Sequence, residues 1–121
     1  MVKILVVDDD IDIVLSVKKG LTNNGFEVDG YNEPQKALSD FKPNVYDLLL
    51  IDFRMPEMNG FELYREIRKK QESVKVCFLS AFEMYYDEFR KIFPTLDVQC
   101  FIRKPTTTEN LVSHIKSELN L

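Results

Sequence analysis

Five strand-length apolar runs, separated by stretches of helical periodicity, constrain this chain more than any other feature. Lys3-Ile4-Leu5-Val6-Val7-Asp8 is β-branched and ends in acid. Phe26 to Tyr31 is a short alternating run, and Asp47 to Asp52 contains the unbroken Leu48-Leu49-Leu50-Ile51. Val74 to Ser80 and Val98 to Arg103 complete the set. A strand without polar alternation has no face for water, so it belongs in a sheet covered on both sides. Helices between such strands act as crossovers, and the strands then run parallel. With right-handed crossovers, the common five-stranded solution is an α/β doubly wound parallel sheet of order 2-1-3-4-5, helices on both faces.

The intervening stretches supply those helices. From Ile11 to Asn23, Ile13, Val14, Val17 and Leu21 share one face, with Ser16 and Gly20 small enough for close packing. Asp10 stands in capping position, and Gly25 fits a C-terminal cap. Pro34 opens a second helix that buries Ala37, Leu38 and Phe41, and Pro43 stops it. Pro56 and Asn59-Gly60 mark a loop from Phe53 to Gly60, followed by a helix over Phe61 to Glu72. A further helix is expected over Phe82 to Phe93, broken at Pro94-Thr95. Thr106-x-x-Glu109 has the pattern of a capping box for the last helix, which buries Leu111, Val112, Ile115 and Leu119. The 121 residues suffice for one core, so one domain over 1–121 without an output domain is expected.

In an open parallel sheet the functional crevice lies beyond the carboxyl ends of the strands, at the point where the strand order reverses. Here that point falls between strands one and three. Strand one ends in Asp8-Asp9-Asp10, strand three in Asp52, strand four in Ser80, and strand five runs into Lys104. Carboxylates converging there repel one another without a counter-ion. Oxygen-only ligation suits Mg²⁺, with Mn²⁺ as the alternative. A carboxylate beside a hard cation, a lysine and a hydroxyl has the makings of a phosphoryl acceptor, with Asp52 as the attacking group.

Four segments carry a family resemblance. They are Ile4-Leu5-Val6-Val7-Asp8-Asp9-Asp10, Leu50-Ile51-Asp52-Phe53-Arg54-Met55-Pro56-Glu57-Met58-Asn59-Gly60, Leu79-Ser80-Ala81 and Arg103-Lys104-Pro105. In order and spacing they resemble the signatures of response-regulator receiver domains of two-component signalling, over nearly the whole chain. The resemblance implies a flavodoxin-like fold, phosphorylation of Asp52, and Mg²⁺ held by Asp8, Asp9, Asp52 and the backbone carbonyl of Arg54. It further implies a switch hydroxyl at Ser80, an aromatic switch at Phe101, a phosphate-neutralising Lys104, and a cis Lys104–Pro105 bond. Arg54 and Phe82 would flank the path of an attacking water and favour a long-lived phosphoprotein. The implied partners are a sensor histidine kinase or phosphotransfer protein and an unidentified downstream protein, with the chain a monomer or weak homodimer. The chain departs from the family in Phe93-Pro94-Thr95-Leu96-Asp97, where a small Gly-Ala pair is usual, and in Thr106, where an aromatic is usual.

Other readings fare less well. Asp8-x-Asp10 after a strand resembles the nucleophile motif of haloacid-dehalogenase phosphohydrolases, but the chain lacks room for their cap. A flavin carrier needs a phosphate loop of Ser, Thr and Gly where three Asp residues stand. A pseudo-receiver, binding without phosphate, is disfavoured by the full acid, hydroxyl and lysine set. Asp8-x-Asp10-x-Asp12 fails as a Ca²⁺ loop because Ile13 and Lys19 occupy the Gly and Glu positions. A net charge of −4 with mixed signs shows no basic stripe for nucleic acid. The apolar runs are too short to span a membrane. Cys77 and Cys100, each inside an apolar run, are expected as free buried thiols in a reducing cytoplasm. His114 is expected to be exposed or partner-facing, without chemistry.

Overall fold

Strand β3 (Leu48–Asp52) occupies the centre of the sheet, and Leu48, Leu49, Leu50 and Ile51 are all fully excluded from water. The structure is a computed structural model that describes residues 1–80, 91 and 100–121. Around β3 lie β1 (Lys3–Val7), β2 (Glu27–Tyr31), β4 (Lys75–Ser80) and β5 (Cys100–Arg103). Among the described residues the helices are α1 (Ile11–Asn23), α2 (Pro34–Asp40), α3 (Gly60–Lys70) and α4 (Thr108–Leu119). The sheet has the order β2-β1-β3-β4-β5, with every pair parallel, as the run pattern predicts. Apart from residue 91, the helix expected over 82–93 lies outside the described residues, as does the Phe82 flank.

Strand residues divide between two apolar cores with the period of two that a pleated strand imposes. Leu5, Val7, Leu49, Ile51, Val76 and Phe78 face the layer that holds Ala37, Phe41, Phe61, Leu63 and Ile67. Ile4, Val6, Leu48, Leu50, Cys77 and Leu79 face the opposite layer, with Leu21, Leu111 and Ile115. Both halves of the alternation are apolar because both faces are covered. A fully buried side chain of this size contributes about 1.5–3 kcal/mol.

Local signals fix where the helices begin and end. Asp10 caps α1 by accepting from the Asp12 N–H at 3.0 Å, and Gly25 follows its end at φ 89°, a left-handed conformation that costs glycine little. Pro34 enters α2 in the first turn. The last helix is capped one residue later than expected. Thr107 accepts from the Asn110 N–H at 3.1 Å, while Thr106 Oγ1 takes the Asn110 side-chain amide at 2.8 Å. A true capping box opens α3 instead. Asn59 accepts from the Glu62 N–H at 2.8 Å, and Glu62 accepts from the Asn59 N–H at 3.0 Å.

The cysteines correct the expectation of free thiols. Cys77 and Cys100 are joined by a disulfide across 23 residues. The β4–β5 register places them directly opposite, with Cα atoms 4.6 Å apart, inside the range a disulfide spans. His114 is half-buried.

Helices α1 and α4 meet at Gly20. A Cβ there would lie 2.6 Å from Thr108 Oγ1 and 2.8 Å from Thr108 Cγ2. Overpacking of this kind costs about 1–3 kcal/mol. Gly20→Ala should lower stability by that amount, less the small gain of alanine in a helix. Adding Thr108→Ala should recover most of the loss. Urea denaturation of the two single variants and the double variant checks this, and strict additivity would show that the helices do not meet there.

Candidate functional site

Strands β1 and β3 diverge to their separate crossovers just past Val7 and Asp52, and the acidic residues gather in the crevice between them. Asp8 follows the last residue of β1 and is fully buried, whereas Asp9 beside it is exposed. Asp52 ends β3 and is 5% exposed. One carboxylate oxygen from each of Asp8, Asp9 and Asp52 lies within 4.8 Å of the others. Asp10 is turned away to cap α1, and its own N–H donates to Asp8 Oδ1 at 3.0 Å. That bond holds one Asp8 oxygen and leaves Oδ2 toward the crevice.

Lys104 reaches this cluster from beyond β5. Its Nζ lies 2.7 Å from Asp8 Oδ2 and 2.8 Å from Asp52 Oδ1. The cis Lys104–Pro105 bond expected from the sequence is present. The Lys104 N–H donates to the Ser80 carbonyl at 2.7 Å, which ties the tips of β4 and β5 together. Ser80 itself is buried at the end of β4. Phe101 is half-buried, stacked on Phe78 with centroids 5.7 Å apart and edge-on to Phe61 at 6.4 Å. It therefore belongs to the layer on the α3 face of the sheet. Arg54, two residues past Asp52, carries an exposed side chain.

Electrostatics follow from this crowding. Burial pushes the Asp52 carboxyl up to about 6. The Lys104 hydrogen bond opposes that rise, and the charges of Asp8 and Asp9 add to it. Burial lowers the Lys104 ammonium, but hydrogen bonds to Asp52 and Asp8 outweigh it, and the ammonium is held above its ordinary range. One ammonium thus serves two of three carboxylates, and a net negative crevice remains. Its donors are oxygens alone, a set that fits a hard divalent cation and suits no soft one.

One residue with no chemistry of its own shapes the site. Gly60, the first residue of α3, packs so closely on the end of β3 that a Cβ would lie 2.5 Å from the Asp52 carbonyl oxygen. Its N–H donates to the Phe53 carbonyl at 2.8 Å, and the Phe53 N–H donates to the Leu79 carbonyl at 2.8 Å. The turn after Asp52 is thereby fastened to both α3 and β4. Asn59-Gly60 is visible in the sequence as a turn, but not its approach to Asp52.

Comparison with known proteins identifies the family. The family model of the response regulator receiver domain matches residues 4–116. The transcriptional regulatory protein PrrA of Mycobacterium tuberculosis is 32% identical over 117 residues, covering 97% of this chain and 49% of that protein. The response regulator ArlR of Staphylococcus aureus is 29% identical over 119 residues, covering 98% of this chain and 53% of that protein. The chain therefore spans about half the length of these relatives. Among solved structures, the non-phosphorylated HemR receiver domain of Leptospira biflexa superposes with a TM-score of 0.85 at 26% identity, covering 100% of this chain and 96% of that one. The response regulator TrrA of Thermotoga maritima, in complex with Mg(2+)-BeF, gives 0.79 at 30% identity, covering 98% of this chain and 100% of that one. With the sheet order, the acidic crevice and the profile match in agreement, the chain belongs to the response regulator receiver domain family.

Proposed function

We propose that this receiver accepts a phosphoryl group on Asp52 from the phosphohistidine of a sensor histidine kinase or phosphotransfer protein, in a Mg²⁺-dependent reaction. The observation that carries the reading is the contact of Lys104 Nζ with both Asp52 Oδ1 and Asp8 Oδ2, at 2.8 and 2.7 Å. A lysine so placed would contact a phosphoryl oxygen once the Asp52 carboxylate is converted to an acyl phosphate. In the transfer, an Asp52 oxygen attacks phosphorus in line, the P–O bond forms, and the P–N bond to the donor imidazole breaks. Asp8, Asp9, Asp52 and the Arg54 carbonyl would hold the Mg²⁺, which neutralises phosphoryl charge when bound. The Mg(2+)-BeF complex of the Thermotoga maritima relative supports this choice.

Ser80 and Phe101 are the proposed switch residues. Ser80 ends β4, the strand paired with β3, and would bond a phosphoryl oxygen; Phe101 lies opposite Phe78 in the β4–β5 pairing. The altered surface would be read by a downstream protein, with the chain a monomer or weak homodimer in the cytoplasm. Ile11 and Leu15, 46% and 58% exposed, place apolar surface on α1 beside the acidic crevice and suit a protein donor. Among the described residues, no helix is long and apolar enough to cross a membrane. The phosphohydrolase alternative needs Asp8 and Asp10 to act together, but Asp10 is engaged as the α1 cap.

Three measurements test the reading. Treatment with acetyl phosphate and Mg²⁺ should add one phosphoryl group by intact mass, and Asp52→Ala should abolish it; an unchanged yield refutes Asp52 as acceptor. Mg²⁺ titration should give weak binding in the wild type and at least tenfold weaker binding in Asp9→Ala. The third concerns acidity without divalent cation. A carboxyl raised to about 6 from 3.8 binds its proton more tightly when folded. The stability this adds is full below the unfolded value and is lost as pH rises through about 6. Asp52→Asn should therefore be more stable than wild type at pH 8, on the order of 1–3 kcal/mol, with the gain shrinking toward pH 4.5. Urea midpoints in chelator at both pH values read this, and an equal gain at both contradicts it.

A further inference from the structure

Cys77 and Cys100 take no part in the chemistry of Asp52, yet they connect the two strands that carry the proposed switch. They pair directly in the β4–β5 register, which continues through Phe78↔Phe101, Leu79↔Ile102 and Ser80↔Arg103. Cys77 thus precedes Ser80 by three residues, and Cys100 immediately precedes Phe101. Their Cα atoms are 4.6 Å apart and the sulfurs are bonded. Sheet register alone holds the pair at bonding range, so the dithiol and disulfide forms are compatible with the same strand pairing.

We propose that Cys77–Cys100 is a reversible thiol–disulfide modification site through which the redox state of the compartment stiffens or frees the β4–β5 edge. The proposal rests on the cytoplasmic phosphoacceptor reading for its biological sense. Disulfides in a reducing compartment are typically transient and redox-sensing rather than structural. Strand β5, with four residues, is the shorter partner and bonds along one side to β4 among the described strands. The covalent bond pins its first residue and thereby restrains Phe101 and Lys104 relative to Ser80. Both sulfur-bearing residues are buried, at 0% and 4% exposure. Exchange therefore proceeds through local opening of the short edge strand, a cheaper event than global unfolding. The Glu118 carboxylate lies within 4.8 Å of both sulfurs and repels an incoming anionic thiolate.

The oxidant is a small-molecule disulfide such as oxidised glutathione. One protein thiolate attacks it, forms a mixed disulfide and expels one glutathione thiolate. The second protein sulfur then attacks the mixed disulfide, forms the Cys77–Cys100 bond and expels the other. Two electrons pass to the oxidant, and the two protons lost by the protein thiols end on the two glutathione thiols. Reduction runs the same steps backwards.

The test equilibrates the full chain in glutathione buffers of graded reduced-to-oxidised ratio, alkylates free thiols under denaturing conditions and reads intact mass. A reversible two-electron transition within the series is expected, absent in Cys77→Ser and in Cys100→Ser. A chain that stays oxidised throughout, or one that stays reduced throughout, overturns the proposal. Glu118→Gln should speed reduction by glutathione and by dithiothreitol several-fold, because each attacks as an anionic thiolate; unchanged rates with both remove its gating role. Amide hydrogen exchange over 100–104 should be at least tenfold slower in the disulfide form, and equal exchange overturns the coupling to the switch edge. Failure of Asp52 to label in both redox forms would overturn the phosphoacceptor reading alone, because the redox transition is measured without phosphorylation.

Discussion

Leu48, Leu49, Leu50 and Ile51 are all excluded from water, so β3 has no face to offer solvent and no polar position along its length. Its first opportunity for a charged residue is its carboxyl end, where Asp52 stands. After Lys3 at its start, β1 likewise stays apolar through Val7, and its next charged residue is Asp8. Because the strands are parallel and neighbours, both acids fall at the same edge of the sheet. The acidic crevice is in that sense the other side of a doubly covered core, and its carboxylates sit half inside the low-dielectric layer that produced them.

That position carries an electrostatic cost, and Lys104 answers part of it. A single ammonium contacts Asp8 and Asp52, and burial still leaves the Asp52 carboxyl well above its ordinary value. The crevice is thus stable but under-neutralised, a state that favours capture of further positive charge. The fold supplies this tension with modest means: a hydrogen bond from the Lys104 backbone to Ser80 sets where the ammonium arrives, and the Asp10 cap fixes which Asp8 oxygen remains available.

Much of this was legible in the sequence because it depends on residue type at strand ends. Apolar runs locate the strands, connection rules restrict their order, and Asp8, Asp9, Asp52 and Lys104 then converge without further information. Features that depend on register or on close approach were not legible. Cys77 and Cys100 look unrelated at a separation of 23 residues and become partners only when β5 is laid beside β4. In Thr106-Thr107-Thr108 each hydroxyl is a competent cap, and the box rule selected the first where the chain uses the second. Asn59-Gly60 was legible as a turn, but the box that Asn59 forms with Glu62 was hidden behind that reading.

Gly60 illustrates how far a site can extend beyond its chemistry. Its missing side chain is what lets the first turn of α3 rest on the Asp52 carbonyl. On the proposed phosphoacceptor reading, a saturation library selected for signalling would deplete position 60 much as position 52, although one residue bears a carboxylate and the other bears nothing. Mutational intolerance at this edge of the sheet therefore measures backbone clearance as well as reactivity, and only variants assayed for folding and for labelling separately can tell the two apart.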